Sequence, residues 1–238
     1  MNTNTQVTSD IAEARISSVV GLRLVEFLSA DDLAYIKSHR TDKGVIGIIL
    51  ERLCDLPQNS RPLDFIDGAD LKSVHTTASG DPCESVAITQ AGIVQDLVDG
   101  HASFAASHVC QKVRRTLLVG ICRSGRNPEN WFFTFCFMMD IGLDEWKEFA
   151  TTLRQDYGYV SDVTRDRLAR DGRIHGTDGR AHHIQLRTKD SKDKYGNYHP
   201  LVSDDYGEIS NKRYAWYLTR YGVRRIVSHG LALRAATA

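Results

Sequence analysis

Residues 42–74, DKGVIGIILERLCDLPQNSRPLDFIDGADLKSV, constrain this chain most. Residues 42–54 read as a very apolar helix with one acid inside it, Glu51. A buried carboxylate there is costly without a partner. At the helix's polar edge, beside Arg52, it would cost nothing. A loop at 57–62 follows. Residues 63–66, which include Asp64, and 69–76, which open on Asp70-Leu71-Lys72, read as paired strands. Strand residues two apart share a face, so Asp70 and Lys72 project together. Carboxylates beside an ammonium suit a hydrolytic site that uses a divalent metal. The acids hold a hard cation through oxygen. The cation acidifies water and polarises a phosphoryl oxygen. The lysine orients the attacking water or stabilises transition-state charge. With acids downstream, Glu51 reads as support for the metal.

The ordered set resembles the active-site core of the PD-(D/E)XK nucleases. More narrowly, it resembles the MutH-type branch, which contains a mismatch-repair nicking endonuclease and related type II restriction enzymes. The branch pattern is a Lys-Gly-x-x-Gly helix ending in Glu, then Asp-Phe, then acid-Leu-Lys. Here these are Lys43-Gly44, Gly47 and Glu51, then Asp64-Phe65, then Asp70-Leu71-Lys72. Asp70 stands where MutH itself has Glu, and Asp67 competes with Asp64 as the metal ligand. Further patches follow the branch: Pro82 with Glu84, Lys112 ahead of a basic pair and a strand, and the segment WKEF. Ile184-Gln-Leu-Arg187 with Lys189 matches another motif, although Thr188 replaces its usual Pro. Tyr217 falls on the tyrosine of a C-terminal strand.

The resemblance implies an α/β fold: a PD-(D/E)XK restriction-endonuclease-like mixed sheet flanked by helices, with two lobes around a DNA cleft. Lobe one would span about residues 11–105 and lobe two about 106–230, after a disordered start at 1–10. It implies a Mg²⁺-dependent endonuclease, with Mn²⁺ able to substitute, that cuts double-stranded DNA at a short site. The products would be a 5′-phosphate and a 3′-hydroxyl. Asp64 and Asp70 would bind metal, Glu51 would support it, and Lys72 would position water. Lys112 would lie near the scissile phosphate. Lys43, Arg187, Lys189 and Tyr217 would contact DNA, and Tyr217 would sense adenine methylation. The basic stretch after Arg165 and the Thr188 departure favour a restriction enzyme paired with a cognate DNA methyltransferase. The alternative, a repair nickase, requires a MutL-type partner. A catalytically silent DNA-binding module on the same fold is a reading of another class.

The 30 basic and 30 acidic residues cancel, which on its face argues against a nucleic-acid partner. Distribution says more than the sum. Residues 165–225 hold fourteen Lys/Arg against eight Asp/Glu, which suits one basic face. The five cysteines form no C-x-x-C pair and sit mostly among apolar residues, so they read as reduced core cysteines of a cytoplasmic protein. No signal peptide or membrane-length apolar run is visible. Neither an internal repeat, a Walker loop, a dinucleotide fingerprint nor zinc-ligand spacing is present.

Along the chain, residues 10–28 carry helical periodicity broken at Gly21, and Ser29 caps a helix to about His39. Residues 84–89 read as a strand, and 91–99 fit no single pattern. Residues 116–122 read as a buried strand and 131–139 as a central one. Residues 143–157 form an amphipathic helix. His182 and His183 open a strand on opposite faces, a poor metal pair. Residues 190–206 interleave lysines and tyrosines, which suits phosphate contact or a solvated loop. Arg187 could pair with guanine. Tyr217 is free to face DNA if Trp216 is the buried neighbour; the commoner fate of a strand aromatic is the core.

Overall fold

A computed structural model describes residues 7–42, 44–57, 62–176, 182–190 and 192–237. The chain is mixed α/β. In order it forms α1 (Ser9–Ser17), α2 (Ala30–Ser38), α3 (Val45–Leu53), β1 (Asp70–Thr76), β2 (Val86–Thr89) and α4 (His108–Val113). Next come β3 (Arg115–Cys122), β4 (Phe132–Asp140), α5 (Lys147–Asp171), β5 (Ile184–Thr188), β6 (Leu201–Ser203), β7 (Gly207–Ser210), β8 (Tyr214–Leu218) and α6 (Arg220–Thr237). Two compact units divide these elements. The first takes the described residues up to Glu84, Arg115–Asp140, and those from Arg224 on. The second takes Ser85–Arg114 and Ile141–Val223. The units therefore interleave along the chain, where two consecutive lobes meeting near residue 105 were expected. The cause is the parallel pairing of β1 with β3. Parallel neighbours need a long crossover, and here the crossover includes Ser85–Arg114 of the second unit.

In the first unit, β3 lies between β1, parallel to it, and β4, antiparallel. β3 is thus the central strand, and β4, expected to be central, is an edge. β4 is apolar because both its faces are covered in this unit: α1 packs against it, and Gly230 of α6 abuts the Phe137 ring. Nearly all of β3 is buried, and Gly120 stands at a bulge. A Cβ at Gly120 would collide with Thr134 and Phe135. Its absence lets Thr76 of β1 and Thr134 of β4 hydrogen-bond across β3 at 3.0 Å. α3 buries four aliphatic residues, Val45, Ile46, Ile49 and Leu50, each worth roughly 1.5–3 kcal/mol relative to exposure. Ser29 caps α2 by accepting the Asp32 N–H at 3.1 Å, as its sequence signature predicts. Of the start expected to be disordered, residues 1–6 lie outside the described residues; Val7 is buried and α1 begins at Ser9.

In the second unit β8 is central between β2 and β5, all antiparallel. One face of this sheet carries Ile184, Leu186, Trp216 and Leu218, all buried. The Trp216 ring stacks on Tyr157 of α5, with centroids 5.3 Å apart and planes at 25°. α5 runs to Asp171, a full fourteen residues beyond the amphipathic segment expected to end at Tyr157, because Val160, Ser161, Thr164 and Leu168 extend its buried stripe. It stops where Gly172 adopts a left-handed φ of 65°. Residues 93–99, ambiguous in sequence, form a π-helical stretch. Among the described residues, no helix is long and apolar enough to cross a membrane. The five cysteines are unpaired, and burial pushes the Cys54 and Cys136 thiols up to about 12.

Candidate active site

Glu51, Asp64, Asp70 and Lys72 all belong to the first unit, and three local devices position them. Glu51 sits in the last turn of α3. There its carbonyl accepts the Leu56 N–H at 2.8 Å while the Arg52 carbonyl accepts that of Asp55 at 3.0 Å. This paired closure needs a left-handed residue, and Asp55 supplies it with φ 55°. Arg15 holds the Asp55 carboxylate at 2.7 Å.

Asp64 does not lie on a strand. Residues 63–66 form a turn, closed by the Phe65 N–H on the Ala69 carbonyl at 3.1 Å and by Gly68 at φ 80°. Side-chain acceptors explain the difference, since Asp residues compete with ladder bonds for backbone donors. The Asp64 carboxylate accepts the Leu71 N–H at 2.8 Å, which brings it to the start of β1.

Asp67, the competing acid, is engaged elsewhere. Its carboxylate accepts the Ser9 hydroxyl at 2.6 Å and lies 3.3 Å from Arg115 Nη1. It clamps the start of α1 to β3. Asp64 is therefore the acid beside Asp70. No local pattern announces this role of Asp67, because its partners are distant in sequence.

Asp70 opens β1 with no exposed surface, and Lys72 Nζ lies 2.5 Å from its Oδ2. Burial raises the Asp64 pKa above the usual carboxylate range, and the charge of Asp70 and a side-chain hydrogen bond with it push the same way. The Leu71 N–H and the Lys72 charge oppose this without reversing it. Burial, then the charge of Asp64, also raises Glu51. Asp64 thus stands between two other acids, coupled to Glu51 on one side and to Asp70 and its lysine on the other. Two carboxylates joined by a hydrogen bond must share a proton or take a cation in its place.

The donor chemistry fits a hard divalent ion. Among the described residues, no group of three or more His, Cys, Asp or Glu side chains is spaced to hold a metal. Mg²⁺ does not need such a cage: it keeps several waters and uses one or two carboxylates with a substrate phosphate. Asp64 and Asp70 would hold it, with Glu51 behind Asp64.

The remaining candidates lie in the second unit, apart from Lys43, which is outside the described residues. Lys112 is half-buried in the last turn of α4, on a helix where a pre-strand segment was expected. Arg187 is exposed on β5; it donates to Ser85 Oγ at 2.9 Å, and its guanidinium carbon lies 5.1 Å from the centre of the Tyr217 ring. Tyr217 is half-buried and sits between Ala87 and Gln185 of the flanking strands, on the face opposite Trp216. The backbone of the exposed Lys189 is held on two sides: its N–H donates to the Arg213 carbonyl at 2.9 Å and its carbonyl accepts the Gln90 side-chain Nε2 at 2.7 Å. Beyond it, Lys192 and Lys212 flank the Tyr198 ring at 5.4 and 4.6 Å, and Lys194 lies 4.9 Å from that of Tyr195. Asp193 shapes this loop by accepting the N–H groups of Tyr195 and Asn197. The Ser85 contact went unread in the sequence, where nothing links Ser85 to β5.

Comparison with protein-family models and with curated proteins gives no match to this chain.

Proposed function

We propose that this chain is a Mg²⁺-dependent endonuclease of the MutH-type PD-(D/E)XK kind that cleaves double-stranded DNA at a short site. The convergence of Asp64 and Asp70 on Lys72, with Glu51 behind Asp64, carries the reading. When bound, Mg²⁺ supplies Lewis-acid polarisation of a phosphoryl oxygen and a lowered pKa for water.

The protein groups do the rest. Strand pairing opposite Thr116 fixes the Asp70 backbone, and its side chain is buried. Lys72 forms an ion pair with Asp70, and its ammonium carries N–H donors for an attacking water or a non-bridging phosphate oxygen. Its charge also offsets the charge that develops on phosphorus-bound oxygen. Asp64 holds a proton more readily than an ordinary aspartate, so it can exchange that proton for a cation as substrate arrives.

Base recognition falls to the face of the second unit's sheet that carries Arg187 and Tyr217. Arg187 carries a planar fork that matches two guanine acceptors in the major groove. The Lys–Tyr loop after it suits backbone contact.

The test is digestion of methylated and unmethylated plasmid with Mg²⁺, with ends mapped by sequencing. Discrete ends carrying 5′-phosphate are expected. DNA binding with no cleavage in Mg²⁺ or Mn²⁺ would instead identify a silent binding module.

A further inference from the structure

At the other end of β1, still within the first unit, a hollow of about 350 Å³ is lined by Arg40, His75, Arg123, Arg126, Trp131 and Thr41. Three arginines meet in it. Arg123 is anchored: its Nη2 donates to the Arg40 carbonyl at 2.6 Å and its guanidinium lies 4.4 Å over the Trp131 ring. The Trp131 indole N–H in turn donates to the Gly125 carbonyl at 3.3 Å, which folds the intervening loop around the ring. Arg40 and Arg126 are exposed.

Elsewhere in this unit arginines face acids, as in Arg15–Asp55, Arg52–Asp32 and Arg115–Asp140. Among the described residues, no carboxylate forms an ion pair with Arg40, Arg123 or Arg126. Glu129, near in sequence, is taken by Lys37 at 2.5 Å. Gathering like charges costs energy that a bound anion would offset. Guanidinium forks match tetrahedral oxyanions with two parallel hydrogen bonds. His75 adds a further ring nitrogen.

We propose that this hollow is a phosphate-binding subsite, taking the oxygens of a phosphate ester. It is separate from the candidate active site. His75 lies five residues beyond Asp70 along one strand, about 17 Å at about 3.3 Å per residue. One phosphate cannot serve both. The inference stands on this geometry and not on the nuclease reading. The ester could belong to a DNA backbone or to a free mononucleotide.

The test uses the full chain in EDTA, titrated with inorganic phosphate, thymidine 5′-monophosphate and a short DNA duplex. Binding heat and Trp131 emission are read, with sodium chloride at matched ionic strength as control and Trp131→Phe to assign the signal. Saturable binding is expected, weakened at least tenfold by Arg126→Ala and by Arg40→Ala. Both side chains are exposed, so both variants should melt like the parent. Arg123→Lys keeps the charge and loses the fork, and should also weaken binding. Displacement of the mononucleotide by duplex makes the ester that of a DNA backbone; binding of the mononucleotide without displacement makes it a free one. A response no larger than that of chloride, or affinities unchanged in both alanine variants, overturns the proposal. Cleavage is not read, so loss of nuclease activity and loss of this site are told apart.

Discussion

Lys72 Nζ lies 2.5 Å from Asp70 Oδ2, and the Asp70 side chain has no solvent contact while Lys72 keeps a quarter of its own. Lys72→Ala therefore strands a buried charge. Breaking such a pair costs about 3–5 kcal/mol, and the partial exposure of Lys72 points to the lower end. Adding Asp70→Asn should restore part of the loss, because the stranded charge is then gone. Denaturant unfolding of the two single variants and the double variant measures the coupling. Additive losses would show that the pair does not act as one unit.

The coupling of Glu51 to Asp64 and of Asp64 to Asp70 should make the first unit sensitive to divalent ions. A carboxyl whose folded pKa is raised contributes stability at low pH that is lost as pH rises through that pKa. At neutral pH, Mg²⁺ should raise the melting temperature, and by less in mildly acidic buffer where protons do its work. Asp64→Asn should raise the melting temperature without Mg²⁺ and abolish the response to it. An undiminished Mg²⁺ response in the variant would place the ion elsewhere.

Asp156 gives the opposite pH dependence. Burial alone would raise it, but the His183 ring, whose Nδ1 lies 3.5 Å from Oδ2, and hydrogen bonds from the His183 and Ile184 N–H groups outweigh burial and hold it below the usual range. A depressed folded pKa contributes stability above the unfolded value, near 3.9, that is lost as pH falls through the folded value. Asp156→Ala leaves the start of β5 with unsatisfied donors, at a cost of about 1–3 kcal/mol. The variant should show a flatter acid limb in a pH series of urea melts. An acid limb identical to the parent's would remove Asp156 from the account.

Arg187 and Tyr217 share the face of the β2–β8–β5 sheet opposite Trp216. Arg187→Ala should cost about 1–3 kcal/mol of discrimination at one base pair. Tyr217→Ala should change the response to base methylation more than stability, whereas Trp216→Ala, in the core, should cost about 3–5 kcal/mol. Matched duplexes with single-base changes and methylated bases separate these effects. Equal slowing on every duplex would make Arg187 a phosphate contact or a structural residue.

Much of the fold is legible where one local rule dominates. The apolar runs of β3 and β4 and the Ser29 cap of α2 read directly. The interleaving of the units does not, because the pairing of β1 with β3 is non-local. The turn at 63–66 was hidden because Asp64 and Asp67 have side-chain partners, Leu71, Ser9 and Arg115, that no periodicity encodes. The later half of α5 was hidden by its charges, although 157, 160, 161, 164 and 168 keep helical spacing. The candidate acids were legible as an ordered set. The choice between Asp64 and Asp67 needed the structure, as did the arginine hollow, whose members come from separate segments.

The central claim is that Asp70 belongs to a metal-dependent phosphodiester hydrolase site. The most direct test compares the parent chain with Asp70→Asn for Mg²⁺-dependent cleavage of a duplex that both bind equally. The account predicts cleavage by the parent that EDTA abolishes, and a loss of about 10²-fold or more in the variant with its DNA affinity kept. Near-normal cleavage by Asp70→Asn would contradict it.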